Sequence, residues 1–352
     1  MVVLRRMIVV ACLASGSCRC PGREAPEELP ISPPSRVCDN PSLSAEEFCM
    51  PATRIETWLE RTPLRVLDAQ VTQHGSSKPL RLRIEVKPKG DKPLAIYAKW
   101  KAVPPAGDDA NNTPRREIAA YRLQKMLASE NEYVVPPVVL RCLPPDAPIE
   151  GEPFPRTRCL LGALAYWLTN VTELSDIDRE RLKHDPAYRR NVALLNIFTV
   201  LVAQRDSVGQ NFLVSTDSRQ PRVFSVDNTM TFGRFKYNPI SLFTSKWLDV
   251  RVPTFPRAYV ERLRSLRRED FDALAVVSEL ELKDGMLEPV ERSSPPFDRD
   301  SGFRWRGNRV QFGLTQTEID EIEDRRKTLL ELVDRGEVRV EPQFDNSSSF
   351  EK

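Results

Sequence analysis

The stretches that decide the fold are DSVGQNFLV, at Asp206–Val214, and VFSVDN, at Val223–Asn228. Asp206 is followed five positions later by Asn211, and a second acid, Asp227, ends the next strand-like run. Carboxylate and amide oxygens are ligands that Mg²⁺ and Mn²⁺ prefer. Asp and Asn are common in loops, so the spacing gains its weight from the sequence around it. The segment is therefore a candidate cation site beside an acid that could serve as a base.

Two upstream segments carry groups that bind phosphate. The loop between the first two predicted strands contains Ser76, Ser77 and Lys78, although on their own these residues are more typical of a polar hairpin turn. Lys99 lies on the third predicted strand, and Lys101 is its rival because side chains on one face of a strand repeat every two residues.

The next helix begins with an acid that could pair with the strand lysine. Thr113 and Pro114 form a helix start, in which Thr is a possible N-cap and Pro suits the first turn. Glu117 follows in the first turn, where an ion pair with Lys99 would fit. A simple charge at the positive end of a helix is the alternative interpretation of this acid.

The order of these motifs resembles two kinase families. Ser76–Leu80 (SSKPL) before a strand is similar to the phosphate-binding loop of phosphatidylinositol 3- and 4-kinases. Glu117–Leu123 (EIAAYRL), Val135–Val138 (VPPV) and Asp227–Gly233 (DNTMTFG) resemble the secretory-pathway kinases of the Golgi casein kinase type. A strand lysine and a long apolar helix before the first acid also match that family.

The resemblance implies an α+β, two-lobed protein-kinase-like fold, with a small antiparallel-sheet N-lobe that carries one helix and a mainly helical C-lobe. It implies ATP as the donor and Mg²⁺ or Mn²⁺ as the cofactor. Lys99 would hold the α- and β-phosphates, and Glu117 would position Lys99. Asp206 would orient or deprotonate the acceptor hydroxyl, while Asn211 and Asp227 would bind the metal. The residues that would cover the β- and γ-phosphates are Ser76, Ser77 and Lys78.

The chain departs from these families at two places. Ser207 and Val208 stand where lipid kinases have Arg-His, and Thr229 replaces the Gly after Asp-Asn. An inactive pseudokinase or nucleotide-binding scaffold, and a surface lipoprotein that serves as an interaction module, are therefore alternatives to an active enzyme. Residues 233–246 carry few basic side chains, which favours protein Ser/Thr hydroxyls over an inositol lipid as the acceptor, with a small molecule as the alternative acceptor. These side chains are Arg234, Lys236 and Lys246.

Composition describes an ordinary soluble protein of 352 residues with 40% apolar residues. Its 52 Lys and Arg residues nearly balance 50 Asp and Glu residues, so no nucleic-acid partner is expected. The two histidines, His74 and His184, nearly exclude a histidine-based metal site or a Ser-His-Asp triad.

The N-terminus resembles a bacterial lipoprotein signal. Arg5 and Arg6 precede the short apolar run Met7–Ala14, which cannot span a bilayer, and Cys18 is the lipidation candidate with Cys12 as a rival. We therefore predict an exported, membrane-anchored lipoprotein, with a cytoplasmic protein as the alternative. ATP is scarce outside a bacterial cytoplasm, so export is in tension with kinase activity.

Four cysteines bracket two short loops and are candidates for disulfides in an exported chain, with free thiols as the alternative. These cysteines are Cys38 and Cys49, then Cys142 and Cys159.

The chain is predicted to divide into five parts. They are a signal at 1–20, a Pro- and Ser-rich tether at 21–50, the N-lobe at 51–170, the helical C-lobe at 171–340 and a disordered tail at 341–352. Periodicity predicts the strands Leu64–Thr72, Leu80–Lys87 and Leu94–Lys101. It predicts helices at 189–203, 255–282 and 315–335, the last opened by a capping box at Thr315.

Overall fold

The computed structural model describes most of the chain after residue 50. The described ranges are 51–72, 79–88, 93–109, 112–206, 209–216, 222–233, 250–292 and 295–341. Among these residues, no helix is long and apolar enough to cross a membrane. The predicted signal and tether, the phosphate-covering loop and the C-terminal tail lie outside the described residues.

The N-terminal part is built on a five-stranded antiparallel sheet in the order β1-β2-β3-β5-β4. Its strands are β1 (Leu64–Val71), β2 (Leu80–Val86), β3 (Leu94–Ala102), β4 (Val138–Leu143) and β5 (Leu160–Tyr166). Helices α1 (Ala52–Arg61) and α2 (Pro114–Leu127) pack against it. The three predicted strands are confirmed, whereas α1 was not predicted.

The two faces of β3 have different surroundings because strand side chains alternate. Ile96, Ala98 and Trp100 are buried in the hydrophobic core. Tyr97 and Lys99 therefore lie on the other face, which looks toward the C-terminal part. The sheet thus presents polar side chains to the space between the two parts of the molecule.

Helix α2 is fixed to the chain that follows it. The amide of buried Gln124 accepts hydrogen bonds from the N–H groups of Val134 and Val135 at 2.8 Å each, and donates to the Val135 carbonyl at 2.6 Å. Proline occupies the first turn as predicted, but the predicted cap is wrong: the Thr113 hydroxyl makes no capping hydrogen bond and instead donates to the Asp109 carbonyl at 3.4 Å.

Strands β4 and β5 are joined by a disulfide. Cys142 pairs with Cys159, which is 17 positions further along the sequence, and their Cα atoms are 5.5 Å apart. Cys159 is fully buried, and Cys142 Sγ accepts a hydrogen bond from the Leu287 N–H. The other predicted pair, Cys38 and Cys49, lies outside the described residues, as does Cys18.

Replacing Cys142 and Cys159 together by serine is expected to lower the free energy of unfolding by about 3 kcal/mol, the value for a loop of this length. Urea unfolding of the full chain, with and without reductant, measures the effect. The double variant should itself respond little to reductant. An equal response in the wild-type and double-variant proteins would show that other cysteines stabilise the fold.

The C-terminal part begins with a short sheet and a buried helix. Strands β6 (Val171–Glu173), β7 (Phe212–Ser215) and β8 (Val223–Ser225) form an antiparallel sheet. In the sequence, helices α3 (Arg179–His184) and α4 (Pro186–Val202) come between β6 and β7. The last eleven residues of α4 are all buried, as expected for a helix that is apolar all round. Ala203 ends α4 in the left-handed conformation with φ of 50°.

A third antiparallel sheet, in the order β11-β10-β13-β12, was not predicted. Its strands are β10 (Ser278–Lys283), β11 (Met286–Pro289), β12 (Phe303–Arg306) and β13 (Arg309–Phe312). The predicted helix at 255–282 is therefore wrong in its second half. Only α5 (Arg257–Ser265) is α-helical there, followed by a 3₁₀ segment at Arg268–Ala275. The alternation of polar and apolar residues in Ser278–Lys283 (SELELK) is short. It directly follows apolar residues at helical spacing, so the change from the helix period to the strand period is difficult to detect in the sequence.

The last helix, α6 (Gln316–Asp334), has the predicted capping box. The Thr315 hydroxyl accepts from the Glu318 N–H at 3.3 Å, and the Glu318 carboxylate accepts from the Thr315 N–H at 2.8 Å. The chain then forms β14 (Arg339–Glu341), which pairs in parallel with β9 (Thr254–Pro256). Strands first and mainly helices afterwards give the predicted α+β, two-lobed arrangement.

Candidate functional site

Two lysines project from β3 beside small residues of β5. Lys99 lies opposite Ala165 of β5, and Lys101 lies opposite Ala163. Residues directly opposite each other in a sheet point to the same face, and alanine side chains leave room beside the lysines. Lys101 is 4% exposed, so its ammonium needs a close anionic partner.

Asp227 joins both lysines to one cluster. Lys99 Nζ lies 3.2 Å from Asp227 Oδ2 and 3.6 Å from Glu117 Oε1. Lys101 Nζ lies 3.2 Å from Asp227 Oδ1 and 3.2 Å from the Thr229 hydroxyl, which itself donates to Asp227 Oδ1 at 3.0 Å. The structure thus brings together three of the predicted site residues, Lys99, Glu117 and Asp227. It pairs Lys99, rather than its rival, with Glu117.

The charges in this cluster stabilise one another. Burial alone would raise the pKa of Asp227, but the attraction of Lys99 and Lys101, with hydrogen bonds from both, holds that pKa well below its ordinary value. Burial would likewise lower the pKa of Lys99, and the carboxylates of Glu117 and Asp227 raise it instead. Asp227 is therefore an ionised carboxylate and Lys99 an ammonium group at neutral pH.

A buried amide holds Asp227 in place. Asp227 has the left-handed backbone conformation with φ of 55°, and the next residue, Asn228, is fully buried. The Asn228 side-chain oxygen accepts from Gln204 Nε2 at 3.1 Å and from the Ser225 hydroxyl at 2.9 Å. Because Gln204 lies two positions before Asp206, this hydrogen bond ties the two acidic segments together. The main-chain N–H of Phe232 adds a bond to the Val202 carbonyl at 2.6 Å.

Asp206 and Asn211 lie on the loop after α4. Asn211 is nearly buried, and its Nδ2 donates to the Asp206 carbonyl at 2.8 Å. This hydrogen bond fixes the side-chain amide with its oxygen pointing away from the Asp206 carbonyl. The Asn211 carbonyl accepts from the Val226 N–H at 2.9 Å, so Asn211 lies beside the Asp227 segment. Asp206 itself is partly exposed. The two predicted metal ligands and the predicted base thus lie on adjoining segments.

The chemistry of these donor groups suits a divalent cation. Asp227 supplies an ionised carboxylate and Asn211 an amide oxygen, which are hard ligands suited to Mg²⁺ or Mn²⁺. Within the described part of the chain, no group of three His, Cys, Asp or Glu side chains could hold a metal alone. Magnesium commonly keeps several waters and is shared with substrate phosphates, so a pair of protein oxygens fits that mode of binding.

Sequence reasoning missed an aromatic group on the same face as Lys99. Arg81 lies opposite Lys99 in the sheet, and its guanidinium stacks 4.1 Å from the centre of the Tyr97 ring and 5.2 Å from that of Trp167. The alternation of β3 could have placed Tyr97 with Lys99. No local sequence pattern places Trp167 there. Its position depends on the hydrogen bond from its main-chain N–H to the Tyr97 carbonyl on the neighbouring strand.

Ser76, Ser77 and Lys78 lie in the range 73–78, which is outside the described residues, so the predicted phosphate-covering loop stays a prediction.

Comparison with known proteins identifies the fold. No protein-family model and no curated protein matches the sequence. Among solved structures, the crystal structure of the Golgi casein kinase is similar, with a TM-score of 0.50 and 12% sequence identity over 90% of this chain and 82% of that chain. At this identity the likeness shows the fold alone. The protein therefore has a kinase-like fold.

Proposed function

We propose that the protein is a metal-dependent ATP phosphotransferase that phosphorylates protein Ser/Thr hydroxyls. The single observation that carries the proposal is the partly buried Lys99–Glu117–Asp227 cluster, which joins a strand, a helix and a loop from distant parts of the sequence. Phosphoryl transfer depends mainly on positioned charges, and the cluster has the charges that hold nucleotide phosphates.

Each charged residue then has a task. Lys99 binds the oxygens of the α- and β-phosphates, and Glu117 keeps the ammonium directed toward them. Asp206, partly exposed at the end of the buried helix, accepts the proton of the acceptor hydroxyl. The residues proposed to cover the terminal phosphates remain Ser76, Ser77 and Lys78.

Asn211 and Asp227 would hold the Mg²⁺ or Mn²⁺ ion. When bound, the ion would neutralise charge on the phosphate oxygens. The carboxylate of Asp227 is already held ionised by its lysines, so no proton needs to leave it before it serves as a ligand.

The aromatic group supports a nucleotide rather than a bare phosphate compound. Tyr97 and Trp167 offer flat apolar surfaces on the face that carries Lys99, and the planar guanidinium of Arg81 lies against both rings. Flat rings and planar cations stack on bases. We propose that the base of the nucleotide lies at this group while its phosphates reach Lys99.

A catalytically inactive nucleotide-binding scaffold is the second candidate function. Lys101 and Thr229 both occupy Asp227 Oδ1, and these contacts leave fewer positions on this carboxylate for a metal. The residues Ser207 and Val208 in place of Arg-His point the same way. A surface lipoprotein that acts as an interaction module would bind no nucleotide.

We further propose export to an oxidising compartment. The disulfide between Cys142 and Cys159 supports this location, because such bonds persist mainly outside the reducing cytoplasm. Lipid anchoring through Cys18 remains a prediction from the N-terminal sequence.

A thermal-shift titration of the full chain with ATP tests the proposed function. Binding of ATP at about 100 times its Kd should add about 2.7 kcal/mol to the free energy of unfolding and raise Tm. The shift should require Mg²⁺ or Mn²⁺. A shift without metal favours the scaffold, and no shift with any nucleotide from a folded sample contradicts both nucleotide-binding functions.

A further inference from the structure

We propose that the buried ion pair between Arg115 and Glu318 is a positioning element, which holds helix α2 where Glu117 can reach Lys99. The inference rests on the proposed function, since it assigns the C-terminal helix a part in preparing the phosphate-binding lysine. The two partners are 203 positions apart in sequence, and each is 5% exposed.

Every polar atom of the Arg115 guanidinium has an acceptor. Nη1 donates to Glu318 Oε2 at 2.6 Å and to the Gly313 carbonyl at 2.9 Å, while Nη2 donates to Glu318 Oε1 at 3.2 Å. Nε donates to Asp108 at 2.7 Å. A bidentate, fully bonded guanidinium fixes direction as well as distance. Arg115 is thus held in one orientation by three separate segments.

The surrounding backbone is shaped to admit this side chain. A Cβ atom at Gly302 would lie 2.1 Å from Arg115 Nε, and one at Gly313 would lie 1.9 Å from the Ala275 carbonyl oxygen. A side chain at Gly302 would therefore displace the guanidinium, and one at Gly313 would displace the main chain beside the carbonyl that Arg115 contacts. The absence of a side chain at Gly302 leaves the space that the guanidinium fills.

Groups other than Arg115 also hold the Glu318 carboxylate in place. Its carboxylate accepts the Thr315 N–H in the capping box of α6, and it also accepts from Arg116 Nε at 2.8 Å. Burial would raise the pKa of Glu318, but Arg115 together with Arg116 lowers it, so the acid stays ionised. Two consecutive arginines at the start of α2 are thus anchored to the start of one other helix.

The geometry of α2 links this anchor to the candidate site. Arg115 and Glu117 are two positions apart, which is about 200° around an α-helix, so their side chains point to nearly opposite sides. Glu117 faces Lys99 on the sheet, and Arg115 faces Glu318 on the C-terminal helix. The helix start is therefore held between the two parts of the molecule. The Lys99–Glu117 distance of 3.6 Å leaves little room for α2 to move away before the contact is lost.

Glu318→Gln is the informative change, because glutamine keeps the capping box while it removes the charge that Arg115 and Arg116 share. In the full-length protein, the affinity for ATP with Mn²⁺ should fall by about tenfold, the effect of losing one positioned contact. Hydrogen exchange of residues 114–127 should rise at the same time. Glu323→Gln is the matched control, since it breaks the Arg326 pair on the same helix without touching α2.

A double-mutant cycle that combines Glu318→Gln with Glu117→Gln distinguishes an effect on the position of Glu117 from an effect on the stability of the whole protein. If Glu318 acts through Glu117, then adding Glu318→Gln to Glu117→Gln should change the Kd for ATP by less than twofold. A full additional tenfold loss, or a Glu318→Gln protein with wild-type affinity and exchange, would overturn the inference. Should Glu318→Gln fail to fold, Arg116→Gln weakens the same anchor and should shift both readouts in the same direction. No ATP binding by the wild-type protein would contradict the proposed function instead, and hydrogen exchange of α2 would still test the anchor.

Discussion

Replacing Asp227 by asparagine is expected to abolish metal-dependent binding of ATP and to destabilise the fold. Asparagine keeps the shape of the side chain but removes the charge that both Lys99 and Lys101 contact. Lys101 is nearly buried and would retain only neutral acceptors in this cluster, the new amide oxygen and the Thr229 hydroxyl. Leaving a buried charge uncompensated costs about 3–5 kcal/mol. We expect the free energy of unfolding to fall by an amount near the lower end of this range, because Lys99 keeps its ion pair with Glu117.

Urea unfolding and an ATP titration with Mn²⁺ measure the two effects of Asp227→Asn. Asp334→Asn is the control, since it breaks an exposed ion pair with Arg264 and should cost under about 1 kcal/mol. A variant of wild-type stability would show that the lysines do not depend on Asp227. Retained metal-dependent binding would remove Asp227 from the proposed metal site.

The effect of Asp227 on stability should also depend on pH. Its pKa in the folded protein is depressed, so its contribution is present above the unfolded pKa of about 3.9 and is lost as pH falls below that value. The difference in free energy of unfolding between wild-type protein and Asp227→Asn should therefore shrink on acidification. A difference that stays constant down to strongly acidic pH would contradict the ion-pair assignment.

Replacing Asp206 by asparagine is expected to remove phosphoryl transfer while ATP binding survives. The positioned base contributes about 10²–10⁴-fold to rate, and asparagine cannot accept the proton. Asp206 makes none of the contacts that hold the lysine cluster, so the Kd for ATP should change by less than about twofold, a cost well under 1 kcal/mol. Transfer of the γ-phosphate from labelled ATP to protein measures the rate, and the thermal shift measures binding.

The outcomes for Asp206→Asn separate the candidate functions. Lost transfer with retained binding supports an active enzyme in which Asp206 is the base. Transfer at the wild-type rate would exclude Asp206 from that role. A wild-type protein that binds ATP but transfers nothing, with Asp206→Asn indistinguishable from it, supports the scaffold. The Asp334→Asn variant should behave as wild-type in both assays.

Local patterns predicted the elements whose burial follows a simple period. Alternation in Leu80–Lys87 and Leu94–Lys101 predicted β2 and β3 almost to the residue, because one face of each is buried. The capping box at Thr315 predicted the start of α6, because a cap is made by neighbours in sequence. The same reasoning failed for β10–β13, whose strands are six residues or fewer.

The sequence by itself determined which residues could carry the chemistry. The spacing of Asp206, Asn211 and Asp227 is a property of the chain, and so is the presence of lysines at alternate positions of β3. Only the tertiary structure decided which lysine pairs with Glu117, that both lysines share Asp227, and that Arg115 meets Glu318. The physical reason is that a charge buried in a protein takes its partner from whatever the packing brings within about 4 Å, and the packing joins segments that no local pattern relates.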